Sequence, residues 1–377
     1  MPLGFNVFLL FIILTIWSSF EENIVILEYS YTSYIPYISF SFNDNQTISL
    51  PVNTNSQYTF FLPGGKLFDE CYEESNHTLI HIRGYDFNIV PCKADLLYKN
   101  QKFVDNFSFL VKQTYDNPFN SRGLALGYKF EDKSYSFYHQ LNQQHPLNKK
   151  QFSIYHNNQD KKGFVFFGGV PKTVGQFKHS MKCIVNETIS SWNCVLNKIT
   201  IGEHIIEYNV KAIFDTSLSH VFESKKFFVY ITRQMLKSYF DKGNCSISED
   251  YDFKDILYCD IQVIKELSPV TFEFSNTKIT LPIEDLFTFE TTVVKSKFTY
   301  DFYFSEDSRF VFGFDFIKKF NLTTFDYDEH SITFFSNNSY FEIHKRYQMK
   351  HYILYITCLI IGLGLIEIIY SSYKSHE

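Results

Sequence analysis

Two segments of this 377-residue chain repeat one pattern. Val52-Asn53-Thr54-Asn55-Ser56 follows a strand-like run, and so does Phe214-Asp215-Thr216-Ser217-Leu218-Ser219. Each is followed later by apolar residues and a glycine: Leu124-Ala125-Leu126-Gly127 after the first, Phe310-Val311-Phe312-Gly313 after the second. Such an echo marks one structural unit used twice. It confines the chain to two related halves, each ending an apolar strand in a short polar turn.

The rest of the body reads mostly as strands. Tyr37 to Phe42, Gln57 to Leu62, Phe103 to Val111, Gly163 to Phe167 and Ile199 to Ile206 are rich in aromatic and β-branched residues. With 27 Tyr and 43 Phe in the chain, aromatic content alone discriminates poorly. Pro63-Gly64-Gly65 and Gly168-Gly169 supply turn signals. The best helical stretch is Lys225 to Tyr239, with Phe228, Ile231, Met235 and Leu236 near one face. An all-β, two-lobed body follows.

Both ends carry apolar runs. Val7 to Trp17 has the length of a signal-peptide core, followed by Ser18 and Ser19, although no Lys or Arg precedes it. A signal over residues 1–20 is expected, with an uncleaved anchor as the alternative. Tyr352 to Tyr370 is long enough to span a bilayer, and Glu367 lies near its end. A juxtamembrane stretch at 341–351 and a short cytosolic tail at 371–377 flank it; a buried core helix is the alternative. Lys345, Arg346 and Lys350 before the run argue against a lumenal body by the positive-inside rule. The signal is given precedence, which places the body in a lumen or outside the cell as a type I membrane protein.

Cysteine and sequon usage agree with that compartment. Cys71, Cys92, Cys183, Cys194, Cys245 and Cys259 lie between the apolar runs, and short separations favour the pairs 71–92, 183–194 and 245–259. Metal binding is the alternative, but no CxxC or HxxxH spacing supports it, and no metal or other cofactor is expected. Asn45, Asn76, Asn106, Asn186, Asn244, Asn321 and Asn337 begin N-x-S/T sequons. Net charge is −6 with the signs mixed, so no basic block points to nucleic acid.

The ordered series resembles the pepsin-like aspartic proteases. Lys211-Ala212-Ile213-Phe214-Asp215-Thr216-Ser217 is similar to that family's A-I-x-D-T-G-T. Val311-Phe312-Gly313-Phe314-Asp315-Phe316-Ile317-Lys318-Lys319-Phe320, with Thr324-Phe325-Asp326-Tyr327-Asp328, resembles its L-G-D-x-F-L-R-x-Y and V-F-D-x-D. Phe152-Ser153-Ile154-Tyr155, Phe166-Phe167-Gly168-Gly169-Val170 and Trp192 to Gly202 match further segments in order. The resemblance implies a bilobal body over 21–340, with lobes at about 30–170 and 190–340 and a peptide-binding cleft between them. One Asp from each lobe would share a proton and activate water.

Several residues depart from that pattern. Leu50 to Phe60 matches the family's first loop, but Asn53 takes the Asp position. An amide does not titrate near neutral pH and cannot serve as a general base. Thr54 and Thr216, which in the family bond across the lobe junction, are retained. Asn55 and Ser217 replace the loop glycines and add side chains beside the cleft floor. Arg83-Gly84-Tyr85 falls where the flap hairpin belongs. Tyr37 to Phe42 reads as the first body strand, leaving little room for a propeptide. A membrane-anchored pseudo-protease that keeps a peptide- or protein-binding cleft is therefore expected. The rivals are an active endopeptidase with an Asn/Asp dyad and a glycosylated adhesion or receptor scaffold.

Overall fold

The computed structural model describes residues 23–32, 35–42, 47–61, 78–82, 85–112, 123–130, 132–157, 162–218, 221–223, 225–249, 255–275, 277–283, 288–291, 296–304, 310–338 and 341–342. Strands dominate, and they form two large sheets. The expected signal over 1–20 and the run Tyr352–Tyr370 lie outside the described residues. Among the described residues no helix is long and apolar enough to cross a membrane.

A platform of six strands joins the halves. In order across the sheet these are His179–Ile184, Ser331–Ser336, Leu322–Asp326, Gln151–Asn157, Lys162–Phe167 and Val25–Thr32. The first three all follow Phe167 in the chain and the last three all end by it. The seam is the antiparallel pair Gln151–Asn157 and Leu322–Asp326, with Ser153 opposite Thr324 and Phe152 opposite Phe325. The two hydroxyls bond at 2.8 Å, and the two rings stack at 4.7 Å with 9° between planes. The seam registers as an approximate twofold, as the sequence echo requires.

The first described strand, Val25–Thr32, begins well before Tyr37. It pairs with Lys162–Phe167 and with Ile35–Ser41, so Tyr37 to Phe42 is not the first strand of the body. Leu27 and Tyr29 alternate inward along it and are fully buried. Gly163 lies under the Tyr29 ring, where a Cβ would sit 2.3 Å from the ring carbon Cζ.

Other segments differ in detail. Ile199 to Ile206 is not one strand: Asn193–Ile201 and His204–Phe214 form a hairpin turning at Gly202, whose φ is +57°. Gln57 to Leu62 contributes only Phe60–Phe61 as strand. Lys225 to Tyr239 divides into an α-helix Lys225–Tyr230, a π turn Ile231–Met235 and a short helix Lys237–Asp241. A wide turn of this kind lets a helix shift its buried face part-way along; Ile231 and Leu236 are both buried.

The second sheet carries the second polar turn. Its strands Val270–Phe274 and Thr277–Leu281 bury every other residue, the period-2 signature of a half-buried face. Phe214 stacks on Phe312 at 5.4 Å, and Phe312 meets Phe316 at 4.1 Å. The abundant phenylalanines thus form the wall that fixes the end of the strand His204–Phe214.

Two of the expected disulfides are present, Cys183–Cys194 and Cys245–Cys259, with Cα separations of 6.2 and 4.2 Å. Cys92 is also disulfide-bonded, and Cys71 lies outside the described residues. Among the sequon asparagines, Asn106 and Asn337 are exposed, while Asn186, Asn244 and Asn321 are partly buried. Asn45 and Asn76 lie outside the described residues.

Candidate active site

Each half ends a strand against a short parallel partner from its own half. Thr47–Asn53 pairs with Leu124–Ala125, placing Val52 opposite Leu124. His204–Phe214 pairs with Phe310–Phe312, placing Phe214 opposite Phe312. Parallel pairing needs a long crossover, which is why each partner comes far downstream in the sequence. The register also corrects the sequence echo. Leu124 is the counterpart of Phe312, so Ala125, not Gly127, corresponds to Gly313. Gly127 is needed for another reason: a Cβ there would lie 2.6 Å from the Ser56 carbonyl oxygen, to which its own N–H donates.

Thr54 and Thr216 then exchange hydrogen bonds across the junction. The Thr54 hydroxyl donates to the Phe214 carbonyl at 2.8 Å and accepts from the Thr216 N–H at 3.0 Å. The Thr216 hydroxyl donates to the Val52 carbonyl and accepts from the Thr54 N–H at 3.2 Å. Both threonines are fully buried. Each hydroxyl has one proton, so each spends it on the opposite strand's carbonyl.

Asn53 and Asp215 occupy matching places, 4% and 2% exposed. The Oδ1 of each accepts the backbone N–H two residues on, Asn55 at 3.0 Å and Ser217 at 3.0 Å. Both turns are side-chain-closed, a habit of Asn and Asp. Ser217 also donates its hydroxyl to Asp215 Oδ1 at 2.6 Å. Asn55 reaches across the junction, and its Nδ2 donates to Asp215 Oδ2 at 2.9 Å. The Asn55 Oδ1 is buried without a hydrogen-bond partner. Neither Asn55 nor Ser217 has a positive φ, so their backbones do not need the freedom of glycine.

An aromatic floor supports the first turn from the second half. The Trp192 indole N–H donates to the Leu126 carbonyl at 2.7 Å, and the Tyr327 hydroxyl donates to the Gly127 carbonyl at 3.2 Å. Trp192 is fully buried against Phe152, Phe325 and Tyr327. Burial pushes the phenols of Tyr327 and Tyr138 well above their ordinary values, so both remain neutral donors. The Trp192 backbone carbonyl in turn accepts the Phe214 N–H at 2.9 Å. One tryptophan thereby bonds both the segment beside the first turn, at Leu126, and the strand end that leads into the second, at Phe214.

A family model described as eukaryotic aspartyl protease matches residues 94–336. The chain belongs to this family. No curated protein matches it. The matched span of this aspartyl-protease homologue contains Asp215, Thr216 and Ser217; Asn53 to Asn55 precede it.

Two strands flank the segment where the flap is expected. Thr78–Ile82 pairs antiparallel with the start of Tyr85–Tyr98, with Ile82 opposite Tyr85. Arg83 and Gly84, at its connection, lie outside the described residues. Among the described residues no group of His, Cys, Asp and Glu is arranged to hold a metal ion. Sequence reasoning placed Asn55 beside the cleft floor as an obstacle but missed its bond to Asp215. The readable signal was an amide side chain at the place where the family's loop has glycine.

Proposed function

We propose that this chain is a catalytically impaired aspartyl-protease homologue that keeps the inter-lobe cleft as a peptide- or protein-binding site. The observation that carries this reading is the pairing of a buried carboxylate, Asp215, with a buried amide, Asn53, at matching places in the two halves. Direct attack of water on a peptide carbonyl needs one group to take the water proton and a second acid to protonate the carbonyl oxygen. Asn53 can hydrogen-bond but cannot exchange a proton in that cycle. The intact Thr54–Thr216 exchange keeps the two halves in register, so the cleft survives the loss of chemistry.

We place the protein in the secretory pathway, anchored through Tyr352–Tyr370 with its body in a lumen or outside the cell. The two disulfides support an oxidising compartment, and the sequons at Asn106 and Asn337 stand on exposed surface.

The test is peptide hydrolysis by the full chain in detergent across acid to neutral pH, beside Asp215→Ala and Asn53→Asp. Silence of the native chain supports the reading. Cleavage by the native chain that disappears in Asp215→Ala overturns it and establishes an endopeptidase working with an Asn/Asp pair.

A further inference from the structure

The geometry points to Asn55 as a plug built into the cleft floor, closing Asp215 to water independently of the missing acid at position 53. This rests on the reading of the site as a disabled aspartyl-protease centre. Asn55 touches both central side chains: its backbone N–H goes to Asn53 Oδ1 at 3.0 Å, and its Nδ2 goes to Asp215 Oδ2 at 2.9 Å.

The choice of oxygen gives the plug its effect. Asp215 Oδ1 is turned to its own loop, where it takes the Ser217 N–H and hydroxyl. Oδ2 is the oxygen that faces the first half. A water shared between the two halves would have to be held there, because a general base must contact the proton that it removes. Three of the roughly four acceptor positions on the carboxylate are thus taken, and the cross-junction one is taken by Asn55. The bond is charge-assisted and mostly withdrawn from solvent, a setting in which hydrogen bonds are strong. It also spans the two loops, so it reinforces the threonine exchange beside it. The Asn55 Oδ1 is left buried and unpartnered, a cost the chain carries to keep the amide in place.

The inference separates two locks. Asn53→Asp restores the second acid but leaves the plug, whereas Asn55→Gly removes the plug but leaves one acid. Two measurements on the full chain in detergent test it. The first is peptide hydrolysis by Asn53→Asp and by Asn53→Asp/Asn55→Gly. The expected result is on the order of tenfold or more higher kcat/KM in the double variant, since one such hydrogen bond must be broken to seat the water. Equal rates in the two overturn the plug.

The second measurement needs no activity. Thermal denaturation of Asn55→Ala, Asp215→Ala and the pair forms a double-mutant cycle. Losses in melting temperature that fall well short of additive in the pair show the bond. Strict additivity overturns it, and this cycle decides the matter if neither hydrolysis variant cleaves. Native-chain activity, by contrast, would sink the disabled-centre reading whatever the cycle gives.

Discussion

Replacing Thr54 by valine keeps the shape of the side chain and deletes one oxygen from the junction. That oxygen donates to the Phe214 carbonyl and accepts from the Thr216 N–H. Thr54 is fully buried, so two backbone groups lose their partner with no water to replace it. At about 1–3 kcal/mol for each stranded group, Thr54→Val should cost about 2–4 kcal/mol after partial relaxation. That is a large share of the roughly 5–15 kcal/mol that holds a typical domain folded. Thr216→Val strands the Thr54 N–H and the Val52 carbonyl and should cost a similar amount. The four bonds are separate, yet they hold the same two loops together. Once one pair is lost, the loops part and water reaches the other. The double variant should therefore fall short of the sum by about 1 kcal/mol or more.

The chain supplies its own reporter for this experiment. It has 2 tryptophans, and Trp192 is buried at the junction, with its indole bonded to Leu126 beside the first turn and its carbonyl to Phe214 at the strand end before the second. Urea titration followed by Trp192 fluorescence reads the junction, and far-ultraviolet circular dichroism reads the sheets. Two-lobed chains can unfold in two steps, so the signature of a broken junction is an earlier fluorescence transition. Thr54→Ser, which keeps the oxygen, should recover most of the loss. Single variants within about 0.5 kcal/mol of native would refute the reasoning, as would strict additivity in the double variant.

Other predictions follow from the surrounding structure. Trp192→Phe removes the donor to the Leu126 carbonyl and should cost about 1–3 kcal/mol in urea, near the lower figure if the Tyr327 hydroxyl, 3.4 Å from that oxygen, takes over; no change in midpoint would count against the bond. Removing Cys183 and Cys194 together as serines opens a short loop between the platform and the second sheet, and should lower stability by about 2–3 kcal/mol on the chain-entropy account; an unchanged melting temperature would contradict it. Glu273 sits opposite Lys198 and Lys278 on neighbouring strands. Burial pushes its carboxyl up, but hydrogen bonds from the two lysines outweigh that and hold it below its ordinary value. Its folded value is depressed, so its contribution is complete above the unfolded value and is lost as pH falls through the folded one. Glu273→Gln should therefore cost at most about 1 kcal/mol at neutral pH and nothing at strongly acid pH; an equal loss at both pH values would refute the assignment.

The two turns show how far local sequence reaches. An apolar strand followed by Asn-Thr or Asp-Thr is a local instruction, and its repetition announced two matching halves; that the two threonines pair was implied only by the family resemblance. Two of the cysteine pairs, 183–194 and 245–259, were readable because short separations leave few partners. Strand existence was readable from β-branched and aromatic runs, yet Ile199 to Ile206 read as a single strand hid a turn at Gly202. The turn is only Gly202 and Glu203 between two apolar stretches, so the β-branched run carried across the break.

What only the tertiary structure decided depends on contacts between distant residues. Val25–Thr32 becomes a body strand because Lys162–Phe167 offers it an edge. The matching of Ala125 with Gly313 was fixed by parallel register and hidden by a conspicuous glycine at 127. The bond from Asn55 to Asp215 joins residues from opposite halves. The sequence by itself determined the two-fold plan and the presence of Asn53 at the place that matches Asp215, because each is written in a few adjacent residues, whereas the threonine exchange joins residues far apart in the chain. The plug on the surviving acid belongs to the assembled molecule, because a side chain's reach across a junction is set by packing at both of its ends.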